Sequence, residues 1–278
     1  MKISILIATL NNINYLKILI NSIIKNSNFD HEIVVHVNEN NDNTIDFLKD
    51  KNIKYTFSNH NIGLCSSINK AYKLSTNNYL LYCHDDMYFL PNWDSVLLAE
   101  VKKLDSIYFY LSGTMIQQSG ADLTLDCGDS FSDFNENYLL ENYEKINMYD
   151  HQGSHWAPHL IHKSIWERVG GFSEAFNPGD ASDSDLNMKL WQEGVKIFKG
   201  INAFKVYHFG SISMRKKKNI LRNDGSKTFL KKWGITTKFF FKHYLKTGSI
   251  YDGPLKEPKK DLLFFVDLLI CKIKKILI

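Results

Sequence analysis

The sequence predicts an α/β fold with a central, mostly parallel β-sheet flanked by helices. In the first 111 residues, short apolar runs alternate with stretches of helical spacing, the pattern of repeated strand–helix–strand units. The apolar runs are continuous, as at residues 3–8, and this favours strands that are covered on both faces. With 44% apolar and 23% charged residues among 278, the chain has the composition of an ordinary globular protein.

Each element of this first part has its own signal. The predicted strands are short and mostly apolar or β-branched, and they lie at residues 3–8, 32–37, 55–57, 80–83 and 107–111. The predicted helices have apolar residues three or four positions apart, and they lie at residues 15–24, 44–48, 62–74 and 91–103. Pro91 falls in the first turn of the last helix, where no partner for its missing N–H is needed.

The second part of the chain has weaker periodicity, and residues 112–154 are largely polar. Its predicted elements are a helix at 135–146, a strand at 157–162, a helical turn at 164–169, a helix at 186–193 and strands at 195–198 and 203–207. Gly170 and Gly171 are expected to end the helical turn, because glycine readily adopts the left-handed conformation that follows a helix. His208 follows the last strand.

Polar residues follow three of the predicted parallel strands and indicate a site. They occupy residues 9–12, residues 38–42 and the pair Asp85 and Asp86. Ligands of open α/β sheets bind beyond the carboxyl ends of the strands, so we expect these segments to converge. Two adjacent carboxylates repel one another and resist burial without a counter-charge. The pair therefore favours a divalent cation with oxygen ligands. The alternative is a solvated loop in which two aspartates are adjacent by chance.

Charge and cysteine content narrow the classes of function. Residues 211–278 contain 17 Lys and Arg against 5 Asp and Glu, whereas residues 1–210 contain 17 against 25. The basic part, including the stretch 215–218, is expected to meet nucleotide phosphates or a lipid surface, while no motif supports nucleic acid. The four cysteines form no CxxC pair, and neither a secretory leader nor a spanning helix is predicted. We therefore expect reduced thiols and a cytoplasmic location.

Several short segments carry a recognisable pattern in their order along the chain. They are Thr9-Leu10-Asn11, Asn38, Asn61-Ile62-Gly63, Asn69, His84-Asp85-Asp86-Met87, Gly170-Gly171-Phe172, Asp183-Ser184-Asp185-Leu186, His208 and Lys232-Trp233-Gly234. Together these segments resemble the family 2 glycosyltransferases. The resemblance covers residues 2–234 and implies a GT-A (Rossmann-like) fold. It also implies an inverting, metal-dependent transfer of a sugar from a nucleotide diphosphate, with a UDP-sugar as the first choice. The implied acceptor is a glycan or a lipid-linked glycan in surface polysaccharide synthesis.

The resemblance also implies a role for each matched residue. The nucleotide is expected to contact Thr9, Leu10, Asn11, Asn38, Asn61, Gly63, Asn69, Asp85 and Lys232. The expected ligands of Mg²⁺ or Mn²⁺ are Asp86 as the direct ligand, with Asp85 and His208. The acceptor is expected to contact Trp156, Gly171, Phe172 and Asp185.

Asp183 is the expected general base. An inverting transfer needs a group that takes the proton of the attacking hydroxyl, and Asp183 lies at the matching family position. The segment Asp183-Ser184-Asp185 would also cap a helix that begins at Leu186, and the two roles are compatible. Asp185 is expected to hold the helix N-terminus or a basic neighbour. His208 has the alternative role of a hydrogen-bonded histidine at a strand end.

Three parts of the chain are expected. Residues 1–111 form a nucleotide-sugar-binding half, residues 112–234 form an acceptor-binding half of the same domain, and residues 235–278 form a basic tail. The last helix of the tail has one apolar face, made of Leu262, Phe265, Val266, Leu269, Ile273 and Ile276. This face suits the inner surface of a membrane, the body of the protein or a second copy in a homodimer.

Two other functions compete with sugar transfer. A sugar nucleotidyltransferase also uses a metal and a nucleotide, but it has a Gly-rich first loop with a catalytic Lys or Arg, unlike residues 9–12 here. A catalytically degenerate GT-A domain would bind glycans or serve as a scaffold. Such a module has no need to keep Asp86, Asp183 and His208 together.

Overall fold

A ten-stranded sheet forms the centre of the computed structural model, which describes residues 2–153, 157–210 and 224–278. The predicted acceptor residue Trp156 and the basic stretch 215–218 lie outside the described residues. The strands are β1 (Ile3–Leu10), β2 (Glu32–Asn38), β3 (Lys54–Ser58), β4 (Tyr79–His84), β5 (Met87–Phe89), β6 (Phe109–Gln117), β7 (Leu123–Thr124), β8 (His151–Gln152), β9 (His159–His162) and β10 (Ile197–His208).

Helices flank this sheet. They are α1 (Ile13–Asn26), α2 (Thr44–Asp50), α3 (Leu64–Tyr72), α4 (Trp93–Leu104), α5 (Glu136–Asn142), α6 (Lys163–Val169), α7 (Ser182–Gln192), α8 (Gly225–Trp233), α9 (Thr237–Phe240) and α10 (Leu262–Ile276). A 3₁₀ turn at Glu174–Phe176 and a π-helical turn at Phe241–Leu245 complete the set.

The sheet has the order β3-β2-β1-β4-β9-β6-β10-β5, with β7 beside β6 and β8 beside β10. Strands β3, β2, β1 and β4 are parallel to one another, and β6 and β10 are parallel to each other. Strands β5, β8 and β9 run antiparallel to the strands that they join. The predicted mixed, mostly parallel sheet is confirmed, and it continues through both predicted halves. The carboxyl ends of β1, β2 and β4 therefore meet at one edge, as the sequence predicted.

Helix α7 begins earlier than predicted. It starts at Ser182 instead of Leu186, after Ala181 in the left-handed conformation with φ 59°. Asp183 and Asp185 therefore lie in the first turn, and the prediction that they cap the helix from outside is wrong. Carboxylates are favoured inside a first turn because they face the positive end of the helix dipole, so the same residues suit either start.

Strand β10 was predicted as two short strands but is one strand of 12 residues. Its register with β6 shifts between Ile201 and Lys205, so the chain bulges where a turn was expected. Thr114 Oγ1 donates to the Ile201 carbonyl at 2.9 Å beside this shift. Strand β6 correspondingly continues to Gln117 instead of ending at residue 111, because its polar residues, including Thr114, are buried by β10.

Two further boundaries differ from the predictions. No separate strand is predicted after the aspartate pair, yet Met87–Phe89 forms β5 and pairs with the end of β10. Helix α4 begins at Trp93 after the N-cap residue Asn92, so Pro91 lies before the helix instead of in its first turn. All four cysteines are free and buried, and their reduced state stays a prediction.

The predicted C-terminal helix is present as α10, and its predicted apolar face does not pack on the body, which was one of the three alternatives. Phe264 and Cys271 are the buried residues of α10, whereas Leu269 and Ile273 remain 58% and 50% exposed. Asp267 pairs with Lys242 and His243 at 2.6 and 2.7 Å and helps to hold the helix in place. Among the described residues, none of the helices combines the length and the apolar character that crossing a membrane requires.

Candidate active site

The aspartate pair lies in the tight turn between β4 and β5. Strand β4 runs parallel to β1, and β5 then turns back to pair with the end of β10, with Met87 opposite His208. The Phe209 amide donates to the Asp86 carbonyl at 3.0 Å. Strand β5 therefore brings the aspartate turn against the end of a strand that is distant in sequence.

His84, Asp86 and His208 form a cluster at this turn, with potential ligand atoms within 4.8 Å of one another. His208 Nε2 lies 3.1 Å from Asp86 Oδ1 and 3.4 Å from His84 Nδ1. Burial, with the neighbouring His208, lowers the pKa of His84 to about 4. The His84 imidazole is therefore neutral near pH 7 and keeps a lone pair for a metal.

The cluster fits a divalent metal. Two imidazole nitrogens and one carboxylate oxygen form a mixed donor set, which suits a first-row transition metal better than Mg²⁺, an ion that prefers oxygen ligands. The side-chain amide of Gln117 contacts Nδ1 of His208. A partner on this second nitrogen fixes the ring orientation, and a metal on Nε2 requires the Gln117 amide to present its oxygen to Nδ1–H.

Asp85 bonds to a different partner from that of Asp86. The Thr9 hydroxyl at the end of β1 donates to Asp85 Oδ2 at 2.7 Å. Burial and the adjacent Asp86 charge raise the pKa of Asp85 to about 7. The structure thus brings together Thr9 and Asp85, which were both predicted to contact the nucleotide. Their nucleotide contacts, the ligand role of Asp85 and the contact of Leu10, the last residue of β1, stay predictions.

Amide side chains organise the loops at the same sheet edge. Asn11 Nδ2 donates to Glu39 Oε2 at 2.8 Å, joining the loops after β1 and β2. Asn38, at the end of β2, donates to Ser67 Oγ at 2.8 Å and accepts from the Ile62 amide at 2.9 Å. Both residues lie at the edge where they were predicted, and their contacts with a nucleotide stay predictions.

The start of α3 is held by a residue from the second half of the chain. Asn177 Oδ1 accepts from the Cys65 amide at 3.0 Å, and its Nδ2 donates to Ser66 Oγ at 2.8 Å. Gly63 has φ +82°, and a Cβ there would lie 2.4 Å from Asn177 Oδ1. Asn61 Oδ1 accepts from the Gly63 amide at 2.9 Å. Glycine is therefore required at residue 63 by this close approach as well as by its backbone conformation.

Asn69 and the Gly-Gly-Phe turn bind each other. Asn69 Nδ2 donates to the Phe172 carbonyl at 2.8 Å, and the Phe172 amide donates to Asn69 Oδ1 at 3.0 Å. A Cβ on Gly171, which has φ +62°, would lie 2.6 Å from Asn69 Oδ1 and 2.8 Å from Trp166 Cζ2. Residues predicted for the nucleotide and for the acceptor thus form the junction between the two halves. Their substrate contacts stay predictions.

Asp183, the predicted base, lies in the first turn of α7 with its side chain 31% exposed. Its Oδ1 atom is buried 4.0 Å from His159 Nε2 and has no hydrogen-bond partner among the described residues. Burial raises the pKa of Asp183 to about 7. A carboxylate with a pKa near the working pH is well suited to accept a proton from a substrate.

Tyr82 connects the surroundings of Asp183 with the metal-type cluster. Its ring centroid lies 5.6 Å from that of His84 and 6.3 Å from that of His159. Tyr82 and His84 are two residues apart on β4 and share one face, and Tyr82 is directly opposite His159 on β9. Burial and then the Asp183 charge raise the pKa of Tyr82. Asp183 and the cluster therefore lie on the same face of the sheet.

Asp185 is fully buried and joins α7 to α8. It accepts from Ser173 Oγ at 2.5 Å and from Trp233 Nε1 at 2.8 Å, and Lys232 Nζ lies 2.7 Å from it. This ion pair confirms the expectation that Asp185 holds a basic neighbour. The predicted contacts of Asp185 with the acceptor and of Lys232 with the diphosphate stay predictions.

Sequence reasoning missed three residues of this site, His84, Gln117 and His159. His84 had a usable signal, because it lies two residues before Asp86 at the end of an apolar strand. Gln117 and His159 had none, since both reach the site through strand pairing between distant segments.

The sheet order and the site at the strand ends define a GT-A-type α/β domain. Residues 4–157 match the sequence profile described as Glycosyl transferase family 2. The match covers more than half of the chain, so the chain belongs to this family. Asp183 and His208 lie beyond the matched residues.

Solved structures support the fold. Residues 1–349 of TarS from S. aureus superpose with a TM-score of 0.56 at 17% identity, over 75% of this chain and 60% of that chain. The same fragment in complex with UDP-GlcNAc gives a TM-score of 0.55 at 16% identity, over 76% and 61%. GalNAc-T7 with UDP, GalNAc and Mn²⁺ gives 0.61 at 15% identity, over 87% and 50%. The chain thus spans about 60% of the TarS fragment. No curated protein matches the chain in sequence.

Proposed function

We propose that the protein transfers a sugar, with inversion at the anomeric carbon, from a UDP-sugar to a glycan or lipid-linked acceptor in surface polysaccharide synthesis. The observation that carries the proposal is the position of Asp183 on the same sheet face as the His84–Asp86–His208 cluster. The nucleotides in the structures of TarS and GalNAc-T7 support UDP as the leaving group. The four free thiols support a cytoplasmic location.

The cluster is proposed to bind Mn²⁺ in preference to Mg²⁺. When bound, the metal offsets the negative charge that develops on the diphosphate as its bond to the sugar breaks. Asp86, His84 and His208 would hold it, and Gln117 would keep His208 in the required orientation. The Mn²⁺ in the GalNAc-T7 structure supports this choice, as does the mixed donor set.

Asp183 is proposed to act as the general base. The acceptor hydroxyl oxygen forms a bond to the anomeric carbon while the bond from that carbon to the phosphate oxygen breaks. The electron pair of the broken bond leaves with UDP, and the hydroxyl proton passes to the Asp183 carboxylate. Because the pKa of Asp183 is about 7, a large fraction of this side chain is carboxylate near neutral pH. The same pKa makes the carboxylate basic enough to accept the proton.

A panel of UDP-sugars tests the proposal directly. We expect Mn²⁺-dependent release of UDP from one donor, weaker release with Mg²⁺, and none with a chelator. Asp86→Asn is expected to lower this release at least about 100-fold, because it removes the charged ligand. Asp50→Asn, at the exposed end of α2, is the matched control and should leave release unchanged. The proposal fails if no UDP-sugar is hydrolysed or stabilises the protein with either metal.

A further inference from the structure

Helix α10 presents a broad apolar face to solvent. Successive residues of a helix are turned by about 100°, so the buried Phe264 and Cys271 lie on one side of α10. The opposite side carries large apolar residues that are 44–83% exposed, namely Leu262, Phe265, Val266, Leu269, Ile270, Ile273 and Ile276. This face is contiguous over the whole helix, which is unusual on a monomeric protein unless the face binds something.

Lysines lie at both borders of this face. Lys272 and Lys274 flank the apolar residues, one on each side, and both are exposed. The acidic residue within the helix, Asp267, is turned toward the body and paired with Lys242 and His243. An apolar face with lysines at both borders is typical of a helix lying in a membrane interface, because the lysine stems follow the apolar surface while their ammonium groups reach the headgroups.

A cavity of about 270 Å³ opens beside the end of this helix, between α8 and α10. Its wall is mostly apolar and includes Leu230 and Leu277. Two lysines also line it, Lys274 and Lys227, and Lys227 is paired with Asp224 at 2.7 Å. A lysine beside an apolar wall matches a phosphate ester that carries acyl chains.

We propose that α10 and this cavity form a binding surface for anionic phospholipid. The apolar face would enter the acyl boundary of one leaflet, and the cavity would receive a headgroup phosphate. A second copy of the chain is a poorer occupant. In a twofold contact the same face meets itself, and this face offers lysines but no acid to pair with them.

The surface also has a structural connection to the proposed base. Helix α8, which forms one wall of the cavity, carries Lys232 and Trp233, and both bind Asp185 in the helix of Asp183. A lipid-bound enzyme would therefore hold its acceptor half close to the membrane, which suits a lipid-linked acceptor. This last step rests on the proposed function, whereas the lipid binding itself does not.

Flotation of the full chain with vesicles tests the inference. We expect binding to vesicles of phosphatidylcholine with phosphatidylglycerol, little binding to phosphatidylcholine alone, and release at about 0.5 M NaCl, where charges are screened. The double variant Leu269→Glu/Ile273→Glu should lose binding at least about tenfold. Its matched control is Ile24→Glu/Ile250→Glu, which changes two exposed isoleucines elsewhere and should bind normally. Lys227→Ala/Lys274→Ala should weaken binding to the anionic vesicles only.

Three results would overturn the inference. They are the absence of binding to both kinds of vesicle, equal binding by the Leu269→Glu/Ile273→Glu variant, and a dimer in sedimentation velocity that this variant abolishes while vesicles bind neither protein. Thermal melting checks that each variant is folded. UDP release, measured without vesicles, is expected to be unchanged in these variants. Vesicle binding without UDP release by any donor would keep the lipid surface and reject the proposed function.

Discussion

The two predicted halves of the molecule position their functional groups in different ways. In residues 1–111, Thr9, Asn38 and Asp86 lie where parallel strands end, so the sheet itself brings them together. In residues 112–234, Asp183 lies on a helix whose place depends on side-chain contacts with distant segments, such as Asp185 with Lys232. The first arrangement follows from local patterns in the sequence, whereas the second depends on individual tertiary contacts.

The largest expected effect comes from Asp183→Asn, which keeps the shape of the side chain and removes the base. We expect sugar transfer to fall about 10²–10⁴-fold, while Mn²⁺-dependent binding of UDP stays unchanged. In the unaltered protein, transfer should rise with pH through about 7, because the carboxylate acts as a base only after it loses its proton. Transfer rates and UDP titrations between pH 5 and 9 measure both effects.

The free energy of unfolding is the control measurement for Asp183→Asn. Burial raises the Asp183 pKa from 3.8 to about 7, so folding disfavours the charged carboxylate and the free energy of unfolding falls as pH rises through this window. Asp183→Asn should therefore raise the free energy of unfolding above pH 7, by about 1–2 kcal/mol after allowance for partial exposure, and change little near pH 4. Lost transfer together with lost stability would point to misfolding instead of a missing base.

Much of the first half could be predicted from the sequence. Continuous apolar runs marked β1, β2 and β4 to within two residues of their ends, and the polar residues after them marked the site edge. Asp86 and His208 were both predicted as metal ligands, and the structure brings them 3.1 Å apart. Local sequence could not reveal why they meet, since the contact depends on pairing between β5 and β10.

The second half was harder to predict, for physical reasons. The start of α7 was placed four residues late because Asp and Ser suit both a cap and a first turn, and only tertiary packing decides. Strand β10 was predicted as two strands, 195–198 and 203–207, yet pairing with β6 holds the residues between them extended through a bulge. The roles of Gln117 and His159 depend entirely on such long-range pairing.

A substitution at the junction of the two halves tests how firmly side-chain contacts hold the second half in place. Gly171→Ala should lower the free energy of unfolding by about 2–4 kcal/mol, because it combines left-handed strain with a Cβ 2.6 Å from Asn69 Oδ1. Gly170→Ala is the matched control, since Gly170 has φ +72° and nothing within 4 Å of a Cβ. Its expected cost is about 1 kcal/mol, from strain alone.

Urea denaturation of both variants measures this difference. Equal costs at residues 170 and 171 would mean that Asn69 and Trp166 move aside, and that the junction is softer than the hydrogen bonds of Asn69 with Phe172 suggest. In that case the second half would depend less on individual side-chain contacts than we propose, and the two halves would differ less.

The smallest expected effect on activity comes from Lys232→Met. This variant tests whether a residue of the predicted acceptor-binding half also contacts the donor. Lys232 is 35% exposed, but its partner Asp185 is buried and would lose this counter-charge while keeping its bonds from Ser173 and Trp233. Stability should therefore fall by about 1–3 kcal/mol. If Lys232 also contacts the diphosphate, KM for the donor rises several-fold, whereas Lys231→Met, at the exposed neighbouring lysine, leaves KM unchanged. An unaltered KM in both variants would restrict Lys232 to holding α8 on α7, and the donor site would then be built by the first half and the end of β10 alone.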